Sequence, residues 1–247
     1  MKNRILLTGA SGEIGGAIAQ TLAREGNTVD LVYHNNKSAA LQLAESLSEP
    51  EDSVNCYSCD LGSTESVEAL CDQITLNEYV GFVHSAGMSK DALVPMIDTE
   101  SAFRVMHTNF WSYSMICKAL IRQMARKKRG NIVAISSVTA VRGNKGNSVY
   151  AASKGAIEAF NRAFVQEYAS RGISINSIAP GFVETKMISH LPDVEAKARA
   201  GVPMGRLCSP QEVGEVVAFL MSPHASYVNG SVVYVDGGLT SNLGVAW

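Results

Sequence analysis

Short uninterrupted apolar runs alternate with longer stretches of helical period along most of this 247-residue chain. The runs predict strands at Arg4–Thr8, Val29–Tyr33, Val54–Cys59, Val80–His84, Asn131–Ser136, Ser174–Ile178 and Val232–Val235. Between them the period predicts helices at Gly15–Arg24, Ser38–Leu47, Thr64–Thr75, Glu100–Arg126, Val149–Arg171 and Pro210–Met221, the last with Ser209 as its cap. Strands such as RILLT and NIVAIS are apolar at successive positions, as expected when helices cover both faces of a sheet.

This alternation predicts an α/β fold: one Rossmann-like, doubly wound parallel sheet of about seven strands with helices on both faces. No linker, charge block or repeat divides the chain, so 1–247 reads as a single domain. Residues 1–130 form its cofactor half and 131–247 its catalytic and substrate half. Ligands of such sheets lie beyond the carboxyl ends of the strands. Chemistry is therefore expected from Thr8–Gly15, Tyr33–Lys37, Asp60, Ser85–Gly87, Ser136–Ser137 and Pro180–Gly181.

Composition changes the picture little. Hydrophobic residues make up 46% and charged residues 18%, with a net charge of −2, so no basic field points to nucleic acid or a membrane surface as partner. The start, MKNRILLTGASG, enters a strand directly, and no apolar stretch reaches the ~20 residues of a membrane span, so a cytoplasmic protein is expected. Five cysteines are scattered at 56, 59, 71, 117 and 208. Cys56 and Cys59 could be a redox pair or half a zinc site, but no second CxxC or spaced His follows. Packing thiols and no metal are the expectation.

The turn TGASGEIG, between the first strand and first helix, has glycines at 9, 12 and 15, spaced for close approach of backbone N–H groups to a pyrophosphate. The acid that would bond the ribose 2′-OH of NAD about 20 residues on is missing. Its place is taken by His34–Asn35–Asn36–Lys37, which suits the 2′-phosphate of NADP or, more simply, caps the next helix. Further on, Tyr150 and Lys154 stand at i and i+4 of one helix, so a phenol and an ammonium can share a site. A neighbouring cation favours the phenolate and brings a poor acid–base group into range.

Ser137 precedes Tyr150 by thirteen residues and Asn109 precedes it by forty-one. With these spacings, TGASGEIG, CDL at Asp60, SAG at 85–87, TN at 108–109, ISS at 135–137, YAASK at 150–154 and INSIAPGFVETKM at 175–187 resemble the short-chain dehydrogenase/reductase family over nearly the whole chain. The resemblance implies that Tyr150 protonates a substrate carbonyl and Lys154 lowers its pKa and bonds the nicotinamide ribose. Ser137 would hydrogen-bond the carbonyl, and Asn109 would hold a water leading to Lys154. It implies NADPH held by Gly9, Ser11, Gly12, Ile14 and Gly15, by His34, Asn35 and Lys37, by Asp60 and Leu61 at the adenine, by Ala86 and Gly87, and by Pro180, Gly181, Val183 and Thr185 at the nicotinamide end. Two departures stand out. Glu13 occupies a usual glycine and is expected to point to water from the first helical turn. His84 replaces a usual asparagine and is expected to tie its loop to neighbouring strands.

Within the family, SAGMSKDALVPM and NKGNSVYAASKGAIEAFNRAF are similar to the 3-oxoacyl-[acyl-carrier-protein] reductases. That likeness implies an acidic carrier protein docking on basic residues near the mouth of the site, at Lys128 and Arg171, although both also complement helix C-termini. It further implies a homotetramer paired through the stripe Ala156–Ile157–Ala159–Phe160–Ala163–Phe164, part of which core packing would also explain. The alternatives are a family reductase for another ketone, a sugar or an acyl-CoA, and a catalytically silent binding protein.

Overall fold

The computed structural model describes residues 2–48, 53–186 and 193–241. Seven parallel strands form one sheet in the order β3-β2-β1-β4-β5-β6-β7. They are β1 (Arg4–Thr8), β2 (Thr28–Tyr33), β3 (Cys56–Ser58), β4 (Gly81–His84), β5 (Gly130–Ile135), β6 (Ile173–Pro180) and β7 (Val232–Val235). The helices are α1 (Glu13–Arg24), α2 (Lys37–Leu47), α3 (Thr64–Ile74), α4 (Thr99–Met106), α5 (Ser112–Lys127), α6 (Ser148–Tyr168), α7 (Val194–Gly201) and α8 (Pro210–Met221). Strand order reverses between β1 and β4, which opens a crevice above the carboxyl ends of these two strands.

Two apolar layers flank the sheet. On one face Ile18 and Leu22 of α1 pack with Val213, Val217 and Leu220 of α8; on the other Val67 and Leu70 of α3 pack with Ile116 and Leu120 of α5 and Ile157 and Phe164 of α6. Cys56 borders the first layer and Cys59 lies in the second, so the CxxC thiols stand on opposite faces of the sheet. Each sulfur donates to a backbone carbonyl, of Ala40 and Ser66 respectively.

The expected long helix at 100–126 is real but not uniform. Between α4 and α5 the backbone widens into a π turn at His107–Trp111, which contains Asn109. The expected helix to Arg171 ends at Tyr168 and tightens into a 3-10 turn, Ala169–Arg171. α8 starts as expected, with Pro210 in its first turn and a reciprocal capping box between Ser209 and Glu212. α7 was not anticipated, because its face toward the protein is alanine, a weak apolar signal: Ala198 is buried.

Among the polar groups buried inside this apolar frame, one carboxylate holds several elements together. Asp30, in the middle of β2, is fully buried and accepts from Arg4 Nη1 (2.6 Å), Asn55 N (2.9 Å), Asn55 Nδ2 (3.1 Å) and Tyr79 Oη (2.6 Å). The network ties the N-terminal part of β1 to the approach to β3 and the segment before β4. A buried carboxylate is tolerated there because every partner is present.

Candidate active site

The crevice is a cleft of about 360 Å³ lined by the glycine turn, the ends of β2, β3 and β4, Thr185 after β6, and Arg104 and Thr108 from α4 and the π turn. Its floor is made by close backbone contacts. Gly9 has φ +72°, and a Cβ there would lie 2.6 Å from Ala86 N; one on Gly15 would lie 2.1 Å from Gly9 O. Only glycine lets the turn after β1 approach the β4 exit, and the first turn of α1 approach that turn, this closely. The result is a concave surface with the N-terminus of α1 at one side, the geometry that receives a pyrophosphate.

Ser137, Tyr150 and Lys154 come together beyond the end of β5. Ser137 follows the strand in extended conformation, and its Oγ accepts from Thr139 N (3.2 Å) and Thr139 Oγ1 (2.9 Å). Lys154 Nζ lies 5.6 Å from the Tyr150 ring centroid and donates to Ile135 O at 2.7 Å. Burial pushes the Lys154 ammonium down to about 8. Burial also pushes the Tyr150 phenol above its ordinary 10, while a hydrogen bond with Ser137 pulls the other way. Burial leads, so the phenol stands above its ordinary value, with the Lys154 ammonium 5.6 Å from its ring centroid.

Asn109 reaches the same place from the π turn. Its Nδ2 donates to Met88 O (3.0 Å) and Ser153 Oγ (2.9 Å), and its Oδ1 accepts from Met88 N (2.8 Å). Gly87 separates it from the lysine: a Cβ there would stand 3.2 Å from Lys154 Nζ and 3.7 Å from Asn109 Oδ1.

His84 holds the π turn in place. The ring is fully buried; Nε2 donates to Asn109 O (3.1 Å), and Nδ1 accepts from Thr8 Oγ1 (2.9 Å). Burial, followed by the nearby Lys154 charge, pushes it down to about 3, so the ring is neutral. It ties β1 and β4 to the segment carrying Asn109.

At the other end of the cleft, Asp60 Oδ1 accepts from Gly62 N (2.9 Å), and both carboxylate oxygens lie 3.0 Å from Arg104 Nη2. His34 Nε2 is 3.8 Å from Oδ1. Burial alone would push the Asp60 carboxyl up; the bonds from Gly62 and Arg104 hold it below its usual value. Leu61 and Ala86 are buried in the same wall, while Pro180 ends β6 and Gly181 and Val183 follow it. Of the His34–Lys37 stretch, His34 faces the cleft, whereas Asn36 caps α2 by accepting from Ala39 N (3.1 Å); Asn35 and Lys37 are exposed beside it.

Three expectations need correction or addition. Glu13 does not simply face water. Its carboxylate accepts from Lys186 N at 2.9 Å, joining the glycine turn to the segment after β6. Lys128 and Arg171 are neighbours in space, since a Cβ on Gly172 would lie 2.2 Å from Lys128 O, but they precede β5 and β6. They therefore stand at the opposite end of the sheet from Ser137, roughly 20 Å away at about 3.3 Å per strand residue, and not at the mouth. Arg104 was missed. It lies four residues before Thr108 on one helical face, a spacing that could have revealed it once Thr108 was placed in the site.

A doubly wound sheet whose switch-point cleft ends in a Ser–Tyr–Lys cluster defines a nucleotide-dependent oxidoreductase acting on CH–OH groups. The chain belongs to the short-chain dehydrogenase/reductase family: a family model described as enoyl-(acyl carrier protein) reductase matches residues 9–240. It is similar to the 3-oxoacyl-[acyl-carrier-protein] reductase FabG of Pseudomonas aeruginosa, 38% identical over 237 residues (95% of this chain, 96% of the relative). Among solved structures it is similar to a 3-oxoacyl-[acyl-carrier protein] reductase from Brucella melitensis (TM-score 0.88, 30% identity, 96% of this chain and 91% of that one). It is also similar to a protein described as an NAD(P)-dependent gluconate 5-dehydrogenase from Beutenbergia cavernae with NADP at low occupancy (TM-score 0.91, 28% identity, 97% of each chain). Among the described residues no helix is long and apolar enough to cross a membrane.

Proposed function

We propose that the chain reduces a 3-oxoacyl thioester carried on acyl carrier protein to the 3-hydroxyacyl thioester, with NADPH. The observation that carries this reading is the Ser137–Tyr150–Lys154 cluster opening beside a glycine-floored cleft. The cleft fits a dinucleotide: the contacts at Gly9 and Gly15 leave a cradle that any Cβ would fill. Backbone groups of Gly9, Ser11, Gly12 and Ile14 would hold the pyrophosphate, and Asp60 with Leu61 the adenine. Thr185, Pro180, Gly181 and Val183 would border the nicotinamide. When bound, the cofactor supplies hydride to the substrate carbonyl carbon.

This chain's own residues do the rest. Tyr150, holding its proton at Oη, donates it to the carbonyl oxygen as negative charge develops there. Ser137 Oγ orients the same oxygen. Lys154, still largely an ammonium at neutral pH, favours the phenolate left after transfer and bonds the nicotinamide ribose. Asn109 anchors the 87–88 turn beside it and holds the water through which the proton is resupplied.

Exposed Leu93, Val94, Met96 and Val141 lie on the segments 88–96 and 138–147, which are tied together by Ala92 N to Gly146 O (2.9 Å). This apolar rim favours an acyl chain over a sugar, the second reading raised by the gluconate dehydrogenase likeness. A homotetramer would pair through the outer face of α6, where Ala159 and Ala163 are exposed while Ile157 and Phe164 face the core.

The test is an NADPH-oxidation assay with 3-oxoacyl-carrier protein, 3-oxoacyl-CoA, a small ketone and a keto-sugar. Highest kcat/KM on the carrier-bound substrate supports the reading; highest kcat/KM on the sugar overturns it.

A further inference from the structure

Arg104 is the one lysine or arginine among the described residues that line the cleft, against two acids, Glu13 and Asp60. The glycine turn itself carries no cation. Arg104 is held in place by the loop after β3, and through that loop it meets the exit of β2. Its Nη2 lies 3.0 Å from both oxygens of Asp60, after β3. Its Cζ and Nη1 occupy the space where a Gly62 Cβ would be, both at 2.9 Å, so the side chain of residue 62 is given up to admit the guanidinium. Through Asp60 Oδ1 it reaches His34, at the exit of β2, whose Nε2 is 3.8 Å from that oxygen. The imidazole and the guanidinium are thus at most about 7 Å apart, the reach of one phosphate group between two donors.

We propose that Arg104 determines the cofactor specificity of this chain by making the adenosine end of the cleft accept a 2′-phosphate. It does so in two ways. The guanidinium neutralises Asp60, which would otherwise face the phosphate as a bare carboxylate, and it offers N–H groups beyond the Nη2 contact to Asp60 for a charge-assisted bond. Without it, the charged residues lining the cleft would be the two acids, with His34 as the remaining basic group. This inference rests on the NADPH reading above and moves the discriminating charge from the β2–α2 turn to α4.

Dissociation constants for NADPH and NADH, measured by nucleotide fluorescence on the whole protein, test it. Arg104 and Asp60 side chains are both partly exposed, so the variants are expected to fold. Wild type should prefer NADPH. Arg104→Gln should weaken NADPH by at least about tenfold, the scale of one charge-assisted bond, and leave NADH nearly unchanged. Arg104→Lys should keep most of the preference, and Arg104→Gln combined with Asp60→Asn should restore part of it. Equal weakening of both nucleotides, or no change in either, overturns the proposal. Wild-type preference for NADH would instead sink the cofactor reading itself, before any variant is made.

Discussion

Glu13 offers the sharpest quantitative test of the cleft's electrostatics, because it places a carboxylate where the fold receives a phosphate. The substitution of choice is Glu13→Gln, which keeps an oxygen to accept from Lys186 N while removing the charge. A carboxylate ~6 Å from a phosphate charge costs about 3 kcal/mol at an effective dielectric near 20. Glu13 is exposed, and a Debye length of about 8 Å at physiological salt cuts this to roughly 1 kcal/mol. NADPH should therefore bind several-fold to about tenfold more tightly to the variant, with the gain growing as salt is lowered. The same change should slightly lower thermal stability, since an acid in the first turn of α1 favours the helix dipole by about 0.3–1 kcal/mol. Fluorescence titration at low and high salt, beside a melting curve, reads both effects. Weaker NADPH binding by Glu13→Gln, or a gain independent of salt, would refute the argument that the carboxylate opposes the phosphate.

Other outcomes follow from buried charges. Lys154 titrates at about 8 in the folded protein against about 10.4 in an unfolded chain, so stability should rise between those pH values as the folded state sheds its proton first. Lys154→Met should therefore raise folding stability at pH 7 by up to about 3 kcal/mol less the lost bond to Ile135 O, read as a higher melting temperature, and the gain should shrink toward pH 10. A pH-independent difference would contradict it. Asp30→Ala should cost about 3–5 kcal/mol in urea unfolding, because it strands Tyr79 Oη, Asn55 and Arg4; a cost under about 1 kcal/mol would show the network to be replaceable. Lys128→Glu with Arg171→Glu, at the end of the sheet away from Ser137, should leave KM for carrier-bound substrate and for a small thioester alike unchanged; a selective rise for the carrier-bound substrate would contradict that placement.

Most of the fold was legible because it rests on strong local patterns. β1, β5 and α8 are apolar runs or periods bounded by glycine, proline and a cap, and their ends fall within about a residue of expectation. The π turn at Asn109 was not legible. It depends on a long-range bond from His84, and nothing in HTNFW departs from helical composition. The same holds at the site. Ser137, Tyr150 and Lys154, which the family resemblance singles out, lie together beyond β5. Arg104 comes from a helix whose face is set only by packing, and the contact between Glu13 and Lys186 joins residues 173 apart in sequence. The location of Lys128 and Arg171 was misjudged although the element order held it: a helix end that leads into a parallel strand lies at that strand's amino end, away from the ligand crevice.

The central claim is that Tyr150 gives the proton. Tyr150→Phe removes a single hydroxyl, so NADPH should bind with an unchanged dissociation constant. Oxidation of NADPH by a 3-oxoacyl thioester should fall by orders of magnitude. A Tyr150→Phe protein that turns over within a few-fold of wild type would contradict the account.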